Sequence, residues 1–200
     1  MPEGPSIIIL KEEVESFIGK KIMKVEGNSK LDIQRLSEKK IIDFKSWGKH
    51  FLICFKDFTV RIHFMLFGSY RINGQKESAP RLRLIFEKGE INFYACSVKF
   101  IEENLDEIYD WTSDVMNDLW NAKAAKQKLK AIPDAMICDA LLNQNIFTGV
   151  GNIIKNEVLF RTRIHPESTV GAIPERKINE LIKEARNYSF EFLEWKKQYV

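Results

Sequence analysis

The segment Ile146-Phe147-Thr148-Gly149-Val150-Gly151-Asn152 lies between two stretches of helical period, residues 135–144 and 152–160. Two glycines on either side of one apolar residue allow a sharp turn, and a turn directly ahead of a helix leaves backbone N–H groups that can point outward. Such a turn binds a phosphate readily, because the helix N-terminus adds partial positive charge. A Gly-x-Gly pattern is weak evidence alone, and a tight helix-to-helix turn that binds nothing is an equally good interpretation.

The residues around this segment predict a helical C-terminal part. Residues 122–131 are rich in good helix formers, and the helical period returns over residues 174–195. We interpret residues 112–131 as a linker that leads into a helix, and residues 132–200 as a helical domain. The charge changes abruptly here, because residues 102–118 hold seven acids and no base. Four lysines follow directly, Lys123, Lys126, Lys128 and Lys130. A charge run is usually only a solvated face, but the switch of sign indicates a boundary.

The first half of the chain predicts an all-β domain with one leading helix. Apolar residues recur at helical spacing from Ile7 to Ile18, and Gly19 closes that segment. Short β-branched and aromatic runs separated by turn signals follow, which is typical of an antiparallel sandwich or barrel. The predicted strands are Ile22–Val25, Ile41–Phe44, His50–Phe55, Thr59–His63, Ser69–Ile72, Leu82–Phe86 and Ile91–Tyr94. We therefore expect an α+β multidomain protein, with an antiparallel β-sandwich domain and its leading helix at residues 1–111, then the helical domain.

Length and composition are those of an ordinary soluble protein. The 200 residues suffice for one large domain or two small ones, with 44% hydrophobic and 30% charged residues. The N-terminus lacks the pattern of a signal peptide and no apolar run is long enough to cross a bilayer, so we expect no membrane partner and a cytoplasmic location. Three widely spaced cysteines and three histidines favour neither a disulfide framework nor a metal site. The net charge of +3 is too small to identify a nucleic-acid partner.

The N-terminal residues Met1-Pro2-Glu3-Gly4-Pro5-Ser6 contain a candidate nucleophile. If Met1 is removed, Pro2 presents a free secondary amine, and the reference pKa of about 7.7–8.0 for such an amine leaves an appreciable share unprotonated at neutral pH. An amine that attacks a sugar or carbonyl carbon forms a Schiff base, and Glu3 beside it could transfer protons. The alternative is that the two prolines only stiffen the start of the chain.

Three segments occur in a particular order: Pro2-Glu3-Gly4-Pro5, then Ser46-Trp47-Gly48-Lys49-His50-Phe51-Leu52, then Gly149-Val150-Gly151-Asn152. They resemble, in turn, the N-terminal signature, the β-strand lysine motif and the helix-two-turn-helix of the formamidopyrimidine-DNA glycosylase and endonuclease VIII family of base-excision repair enzymes. The resemblance covers residues 2 to about 166. No single one of these motifs is specific, but three in this order are.

The resemblance implies a role for each matching residue. Pro2 would attack C1′ of a damaged nucleotide, expel the base and form an imine with the sugar. Glu3 would protonate the sugar ring oxygen and later shuttle protons during strand cleavage. Lys49 would contact phosphates near the lesion and help to organise the active site. The residues implied to bind the DNA backbone are His63, Gly149, Gly151 and Asn152.

A second consequence of the resemblance is mechanical. An enzyme that acts at C1′ must take the nucleotide out of the stack and fill the gap, usually with apolar side chains. Met65, Leu66 and Phe67 follow His63 at an expected strand turn, and these three are candidates for filling the gap. The alternative is that they belong to the buried core.

Several positions depart from the family pattern. Ser6 stands where the family usually has a glutamate, which could lower or redirect activity. Ser97-Val98-Lys99-Phe100 stands where purine-type members carry Arg-Arg-Phe in a loop, so that only Phe100 could retain a gap-filling role. Tyr188–Trp195 lacks the glycine-rich loop of those members. Gly4 and Ala79-Pro80-Arg81-Leu82 look more like the endonuclease VIII branch, which favours oxidised pyrimidines or ring-opened bases as substrates.

Family members usually end in a zinc finger, or in a metal-free hairpin of the same shape, that inserts an arginine into the minor groove. This sequence stops at Tyr199-Val200 without such an element, so the natural chain either continues or lacks it. We expect lower affinity for DNA in both cases, because each lost phosphate contact weakens binding. No zinc or other cofactor is expected in these residues.

The resemblance predicts a monomeric, nucleoid-associated DNA glycosylase with abasic-site lyase activity. Its substrate would be double-stranded DNA with an oxidised base or an abasic site, cleaved by β,δ-elimination through the Pro2 imine. One alternative is an abasic-site lyase with weak glycosylase activity, which Ser6 favours. The other is a non-catalytic module that binds damaged DNA without turnover, as retention of Met1 would produce.

Overall fold

The computed structural model describes residues 2–198. Met1 and the last two residues lie outside the described residues. The structure therefore does not bear on whether Met1 is removed. The chain forms two compact units. The described residues of the first unit are Pro2 and Ile9–Ile108, and those of the second are Glu3–Ile8 and residues 109–198. The domain bounds expected at 111 and 131 stay a prediction.

One antiparallel sheet of six strands forms the body of the first unit. In the chain it follows the leading helix α1, Gly4–Glu13. The strands are β1 (Ile22–Glu26), β2 (Asp43–Trp47), β3 (His50–Cys54), β4 (Thr59–Ile72), β5 (Leu82–Phe86) and β6 (Glu90–Ile101). They are hydrogen-bonded in the order β1-β5-β6-β4-β3-β2, and every neighbouring pair is antiparallel. A short helix, α2 (Leu105–Ile108), follows the sheet.

The period of two in the sequence explains which side chains the sheet buries. In β5, Leu82, Leu84 and Phe86 are buried while the residues between them are half-exposed. Phe51 of β3 and Phe93 of β6 are fully buried, and their ring centroids lie 6.0 Å apart. Burial of several rings of this size gives the sheet a large share of its stability.

Strand β4 corrects one prediction. We expected two strands, Thr59–His63 and Ser69–Ile72, separated by a turn, but β4 runs through both without a break. Its pairing with β6 shifts register between Phe64 and Ser69, which is a bulge rather than a turn. Gly68 makes the bulge possible, because a Cβ atom there would lie 2.7 Å from Cβ of Phe64.

Strand β6 corrects a second prediction. The sequence predicted a short strand at Ile91–Tyr94, and purine-type family members have a loop where this chain has Ser97–Phe100, whereas β6 extends to Ile101. Phe100 therefore lies in a strand. Its ring centroid is 5.5 Å from that of Phe58, and the guanidinium of Arg35 lies 5.2 Å above the ring. This packing argues against the gap-filling role considered for Phe100.

The second unit is helical. Its helices are α3 (Ala122–Lys130), α4 (Ile137–Leu142), α5 (Asn152–Thr162) and α6 (Glu175–Gln198). Helix α6 buries a residue every three or four positions, including Ile178, Leu181 and Ala185, which is the stripe that its sequence predicts. The fold class is confirmed: an antiparallel β domain with a leading helix precedes a helical domain. Across residues 2–198, no helix is both long and apolar enough to span a membrane.

Candidate active site

Glu3 lies at the N-terminus of α5, within the second unit. Its carboxylate accepts hydrogen bonds from the N–H groups of Gly151, at 3.1 Å, Ile153, at 2.8 Å, and Ile154, at 3.2 Å. Only 4% of its surface is exposed. The carboxylate satisfies three N–H donors at the start of α5 that the helix itself leaves unpaired, next to the positive end of the helix dipole.

Positions 149 and 151 of the turn require glycine for different structural reasons. Gly149 has φ of +96°, a conformation that L side chains rarely adopt. Gly151 is glycine because of Glu3: a Cβ atom at position 151 would lie 2.4 Å from Cδ of Glu3. The turn also holds the start of the chain through its backbone, because the Gly4 N–H donates to the Gly149 carbonyl at 2.9 Å.

This geometry corrects the expectation that the N–H groups of the turn point outward. The Gly151 N–H donates to Glu3, and the Gly149 N–H donates to Oε1 of Gln144 at 3.0 Å. The carboxylate of Glu3 therefore takes the position that we expected a phosphate to occupy. A DNA contact by Gly149 and Gly151 stays a prediction, and it would have to use other atoms than these N–H groups.

Gln144 is a site residue that sequence reasoning missed. Besides accepting from Gly149, its side-chain amide donates to the carbonyls of Leu142, at 2.8 Å, and Val150, at 3.1 Å. One amide thus ties the end of α4 to the turn that receives Glu3. The signal in the sequence was a residue with both donor and acceptor capacity, five positions before a glycine in a turn.

Asn152 is the first residue of α5 and is exposed. Its Oδ1 accepts a hydrogen bond from Nζ of Lys155 at 3.1 Å. Asn152 therefore does not cap its own helix, because Glu3 does. The lysine adds a cation beside Asn152 that the sequence did not lead us to expect. Phosphate binding by Asn152 stays a prediction.

Lys49 lies in a tight turn of the first unit. Trp47 and His50 pair directly across β2 and β3, so that Gly48 and Lys49 form a two-residue hairpin turn, with φ of +51° at Gly48. We expected Lys49 on a strand edge, and it lies instead at the tip of the hairpin. A turn of this kind holds the lysine at the end of two strands, where its backbone has little freedom.

His63 and His50 face each other across β3 and β4. They are paired residues, and their ring centroids lie 5.1 Å apart. Burial lowers the pKa of His63, and the positive charges of Arg61 and Lys49 lower it further. Burial, with repulsion from Arg61 and His63, lowers the pKa of His50 to about 3. Both rings are therefore neutral at physiological pH, and His63 could contact a backbone phosphate only as a neutral donor.

Met65, Leu66 and Phe67 form the bulge of β4, which we call the β4 bulge. Their exposed fractions are 56%, 62% and 84%. Three consecutive exposed apolar side chains are unfavourable in water, and they are not the buried core that was the alternative. Their exposure fits a gap-filling role, which stays a prediction.

Ser6 lies in α1, is half-buried, and donates its N–H to the Glu3 carbonyl at 2.9 Å. It supplies no carboxylate where the family pattern has one.

No group of three or more His, Cys, Asp or Glu residues that could hold a metal ion occurs within residues 2–198.

Comparison with known proteins assigns the chain to a family. Residues 1–100 match the formamidopyrimidine-DNA glycosylase N-terminal domain, and residues 112–198 match the formamidopyrimidine-DNA glycosylase H2TH domain. The chain belongs to the formamidopyrimidine-DNA glycosylase family. The order of the two domains agrees with the order of the two units.

Relatives in the formamidopyrimidine-DNA glycosylase family include both branches. The chain is 30% identical to Endonuclease 8-like 3 of Xenopus laevis over 188 residues, which cover 88% of this chain and 30% of that protein. It is 29% identical to the formamidopyrimidine-DNA glycosylase of Lactobacillus helveticus over 90% of this chain and 73% of that one. The chain thus spans less than a third of the Xenopus relative.

A solved structure of the family shows the same fold. The complex between the Lactococcus lactis Fpg and an abasic site containing DNA superposes with a TM-score of 0.83, over 96% of this chain and 78% of that one. The two sequences are 21% identical. The shared architecture includes the β domain and the helical domain, and at this identity the likeness concerns the fold alone.

Proposed function

We propose that this chain is a monomeric base-excision-repair DNA glycosylase with abasic-site lyase activity, which removes oxidised bases, pyrimidines or ring-opened bases above all, from double-stranded DNA. The observation that carries the proposal is the fixed position of Glu3. A buried carboxylate held by three N–H groups of α5 directly follows Pro2, so that the nucleophile and a proton-transfer group are adjacent in a family whose signature they match.

The chemistry starts at the amine of Pro2. Its lone pair attacks C1′ of the damaged nucleotide, and the glycosidic bond breaks with its electron pair going to the base, which takes up a proton as it leaves. The Pro2 nitrogen then gives up its own proton, which frees its lone pair. Protonation of the sugar ring oxygen breaks the bond between C1′ and that oxygen, and the nitrogen lone pair forms the C=N bond of an iminium ion. Loss of a C2′ proton expels the 3′ phosphate in β-elimination, and a further proton loss expels the 5′ phosphate in δ-elimination. An amine brings its own electron pair to these steps, so we propose that they need no cofactor.

Glu3 has two proposed tasks in this sequence, protonation of the sugar ring oxygen and acceptance of the C2′ proton during elimination. Three backbone N–H groups hold its carboxylate in one place, so the same side chain would carry out both proton transfers from a fixed position.

The remaining site residues are proposed to hold the DNA. Lys49 and Asn152 would contact phosphates near the lesion, His63 would contact the backbone as a neutral donor, and the β4 bulge would fill the gap left by the extruded nucleotide. The Lactococcus lactis protein forms its complex with DNA that contains an abasic site, which is the product of base removal and the substrate of a lyase step.

Borohydride trapping tests the proposal. The protein, with removal of Met1 confirmed by mass spectrometry, should form a covalent complex with duplex DNA that carries an oxidised pyrimidine or an abasic site. The matched control is the same chain with Met1 retained, which should give no complex because its proline nitrogen is an amide. Equal yields from both forms would refute Pro2 as the nucleophile. Tight binding with neither trapping nor strand cleavage would show a damage-binding module instead.

An abasic-site lyase with weak glycosylase activity is a second candidate function, which the absence of a carboxylate at Ser6 favours. Comparing rates on a lesion duplex and on an abasic duplex separates the two. A bifunctional enzyme should cleave both within about tenfold of each other, whereas a lyase should be slower on the lesion by about a hundredfold or more, because base removal would add a barrier of about 3 kcal/mol.

A further inference from the structure

A groove in the second unit lies between α3 and α6, and its residues are distinct from those of the proposed active site. Its volume is about 410 Å³, within the range of small-molecule sites. Helix α6 contributes residues spaced three and four apart, which form one face of that helix. The lining residues are Trp120, Ala122, Lys123, Lys126, Asn179, Ile182, Lys183, Arg186 and Asn187.

The charge of the groove is positive. Nζ of Lys126 is paired with the Glu175 carboxylate at 2.5 Å, which neutralises that lysine. Within residues 2–198, neither Lys123 nor Lys183 has a side-chain ion pair or hydrogen bond, and no carboxylate is among the nine lining residues. Together with Arg186 they leave three uncompensated positive charges facing one small space, which favours an anion.

Arg186 is held in place. Its Nη1 donates to the carbonyls of Val115 and Asn117, each at 2.8 Å, and its guanidinium lies 5.0 Å from the ring centroid of Phe190. A guanidinium fixed by two carbonyls loses little freedom when its other N–H groups bind a ligand. The first turn of α3 adds a partial positive charge on the other side of the groove.

The apolar part of the groove is a flat aromatic surface. Trp120 is half-buried, and its ring centroid lies 6.0 Å from that of the fully buried Phe147, with the two ring planes tilted by 35°. Ile182 is buried beside it. Such a ring is a stacking platform for another flat ring, and every nucleic-acid base has a flat face that can stack on it.

Two amides complete the groove. Asn179 and Asn187 are exposed side chains of α6, and within the described chain neither makes a side-chain hydrogen bond. An amide offers both donors and acceptors, which matches the mixed edge of a nucleobase better than the uniform edge of a simple aromatic ring. Cations, an aromatic platform and amides are the three elements that recognise a nucleotide.

We propose that the groove between α3 and α6 binds a nucleoside phosphate, with the base on Trp120 and the phosphate at Lys123, Lys183 and Arg186. The unit could be a free nucleotide or a nucleotide of a single strand, which share this chemistry. The site requires neither Pro2 nor Glu3, so it lies beyond the proposed glycosylase activity and stands without it. It also gives a role to Lys123, the first of the four lysines after residue 118, which the proposed active site does not use.

Titration of the intact chain with thymidine 5′-monophosphate tests the site, followed by calorimetry and by tryptophan fluorescence. Saturable one-to-one binding is expected. Thymidine and inorganic phosphate, each with half of the recognition elements, should bind at least about tenfold more weakly, which corresponds to about 1.4 kcal/mol. Equal binding by thymidine would overturn the proposal. O-phosphotyrosine has a phosphate and an aromatic ring but no base, so the proposal would also be overturned if this protein bound O-phosphotyrosine and did not bind the nucleotide.

Two variants locate the binding. Trp120→Leu and Lys183→Gln should each weaken it at least about fivefold. Lys88→Gln, an exposed lysine of the first unit, is the matched control and should not change it. Lys183 is exposed, so its substitution should fold normally even if the tryptophan variant does not. Unchanged binding by Lys183→Gln would overturn the assignment. The borohydride trapping yield of Lys183→Gln should equal that of the wild type, which keeps the two proposals separable.

A five-residue thymidine oligonucleotide distinguishes the two sources of the nucleotide. Tighter binding of the oligonucleotide, with a salt dependence whose slope falls by about 0.7 for each phosphate contact removed, as by Lys183→Gln, identifies a single strand as the ligand. Tighter binding of the mononucleotide identifies a free nucleotide. Absence of binding by both would overturn the proposal.

Discussion

Glu3 is a buried residue whose two carboxylate oxygens accept hydrogen bonds from three backbone N–H groups, those of Gly151, just before α5, and of Ile153 and Ile154 in its first turn. The same residue follows the proposed nucleophile, Pro2. One side chain therefore caps a helix and is also the group that we propose for proton transfer. A substitution of Glu3 would change stability and chemistry together, so that activity measurements on such a variant need a measurement of stability beside them.

Gly151→Ala should displace the Glu3 carboxylate while leaving its charge in place. The added Cβ would lie 2.4 Å from Cδ of Glu3, so the carboxylate must move away from its N–H donors. We expect a loss of about 1–3 kcal/mol in the free energy of unfolding and at least about a tenfold loss of trapping yield. Urea denaturation and borohydride trapping measure the two effects.

Gly74→Ala is the control for this prediction. The atom nearest to a Cβ at Gly74 is the Ile72 carbonyl oxygen, at 3.9 Å, which is an ordinary contact. The free energy of unfolding of Gly74→Ala should differ from that of the wild type by less than about 0.5 kcal/mol. Full retention of trapping by Gly151→Ala would show that the contact between Glu3 and α5 is not needed for the chemistry.

His50 makes the stability of the first unit depend on pH. Its pKa in the folded protein is about 3, below the value of about 6.5 for an unfolded histidine. Between these values the unfolded chain binds a proton that the folded chain does not bind. The free energy of unfolding therefore falls as the pH falls through this window, by about 2 kcal/mol between pH 7 and pH 5.

Urea denaturation at pH 7 and pH 5 tests this prediction. The difference between the two pH values should shrink in His50→Gln and persist in His165→Gln, an exposed histidine of the second unit. Since His63 lies 5.1 Å away and also has a lowered pKa, some dependence should remain in His50→Gln. An undiminished difference in His50→Gln would contradict the assignment.

At the scale of elements, the β4 bulge is an exposed apolar tip built into the longest strand. We expect Leu66→Ser with Phe67→Ser to change the free energy of unfolding by less than about 0.5 kcal/mol for each residue, because both side chains are mostly exposed. Excision from a lesion duplex should fall about tenfold or more, because the gap in the stack would be left unfilled. Single-turnover kinetics and thermal melting provide the two measurements.

Phe160→Ser is the matched control for the β4 bulge, since Phe160 is an aromatic residue of α5 with 78% of its surface exposed. It should leave excision unchanged. An equal loss of excision in both variants would indicate a general effect of surface apolarity rather than gap filling.

One arginine of α5 joins that helix to α6 by ion pairs. Arg161 contacts the carboxylates of Glu157, at 2.8 Å, Glu184, at 3.1 Å, and Glu191, at 2.6 Å, and its guanidinium lies 4.6 Å from the ring centroid of Tyr188. Arg161→Met should cost about 1–2 kcal/mol at pH 7, because it leaves three carboxylates without their shared partner.

The pH dependence of that cost has a definite sign. Hydrogen bonding to Arg161 lowers the pKa of Glu191, so the stability that this pair supplies is present above the pKa of an unfolded glutamate and is lost as the pH falls below it. Urea denaturation should show a smaller difference between Arg161→Met and wild type at pH 4 than at pH 7. Lys24→Met removes an exposed pair with Glu26 and should show little difference at either pH.

At the scale of the whole molecule, the reactivity of the three cysteine thiols shows which parts of the chain are shielded from solvent. Burial raises the pKa of Cys54, and burial raises the pKa of Cys96 to about 12, while Cys138 is half-exposed. At pH 8 only about one Cys96 thiol in ten thousand is a thiolate. We expect iodoacetamide to modify Cys138 alone in the native protein and all three in denaturant, as counted by mass spectrometry. Rapid modification of a second thiol would show local opening of the sheet.

Elements with a clear local period could be predicted from the sequence. Strand β5 has the predicted bounds, and α5 begins at the predicted residue, because alternation and helical spacing are properties of neighbouring residues. The sequence also offered Pro2 and Glu3 as a candidate nucleophile and its carboxylate, because the two are adjacent in the chain, and that assignment stays a prediction. The family followed from three short motifs in order.

Features that depend on distant residues could not be predicted. The register shift that carries β4 past Gly68 depends on its pairing with β6, and the packing of Phe100 depends on Arg35. The groove at Trp120 lies between α3 and α6, and nothing in the sequence indicates that these two helices are neighbours.

The sequence by itself determined the order of the two domains, the period of their elements and the residues available for imine chemistry, because these are written in local spacing. Only the tertiary structure decided that the turn at Gly149–Gly151 receives Glu3 rather than leaving its N–H groups open. The two partners lie 148 residues apart along the chain, and a buried carboxylate must find donors wherever the fold supplies them.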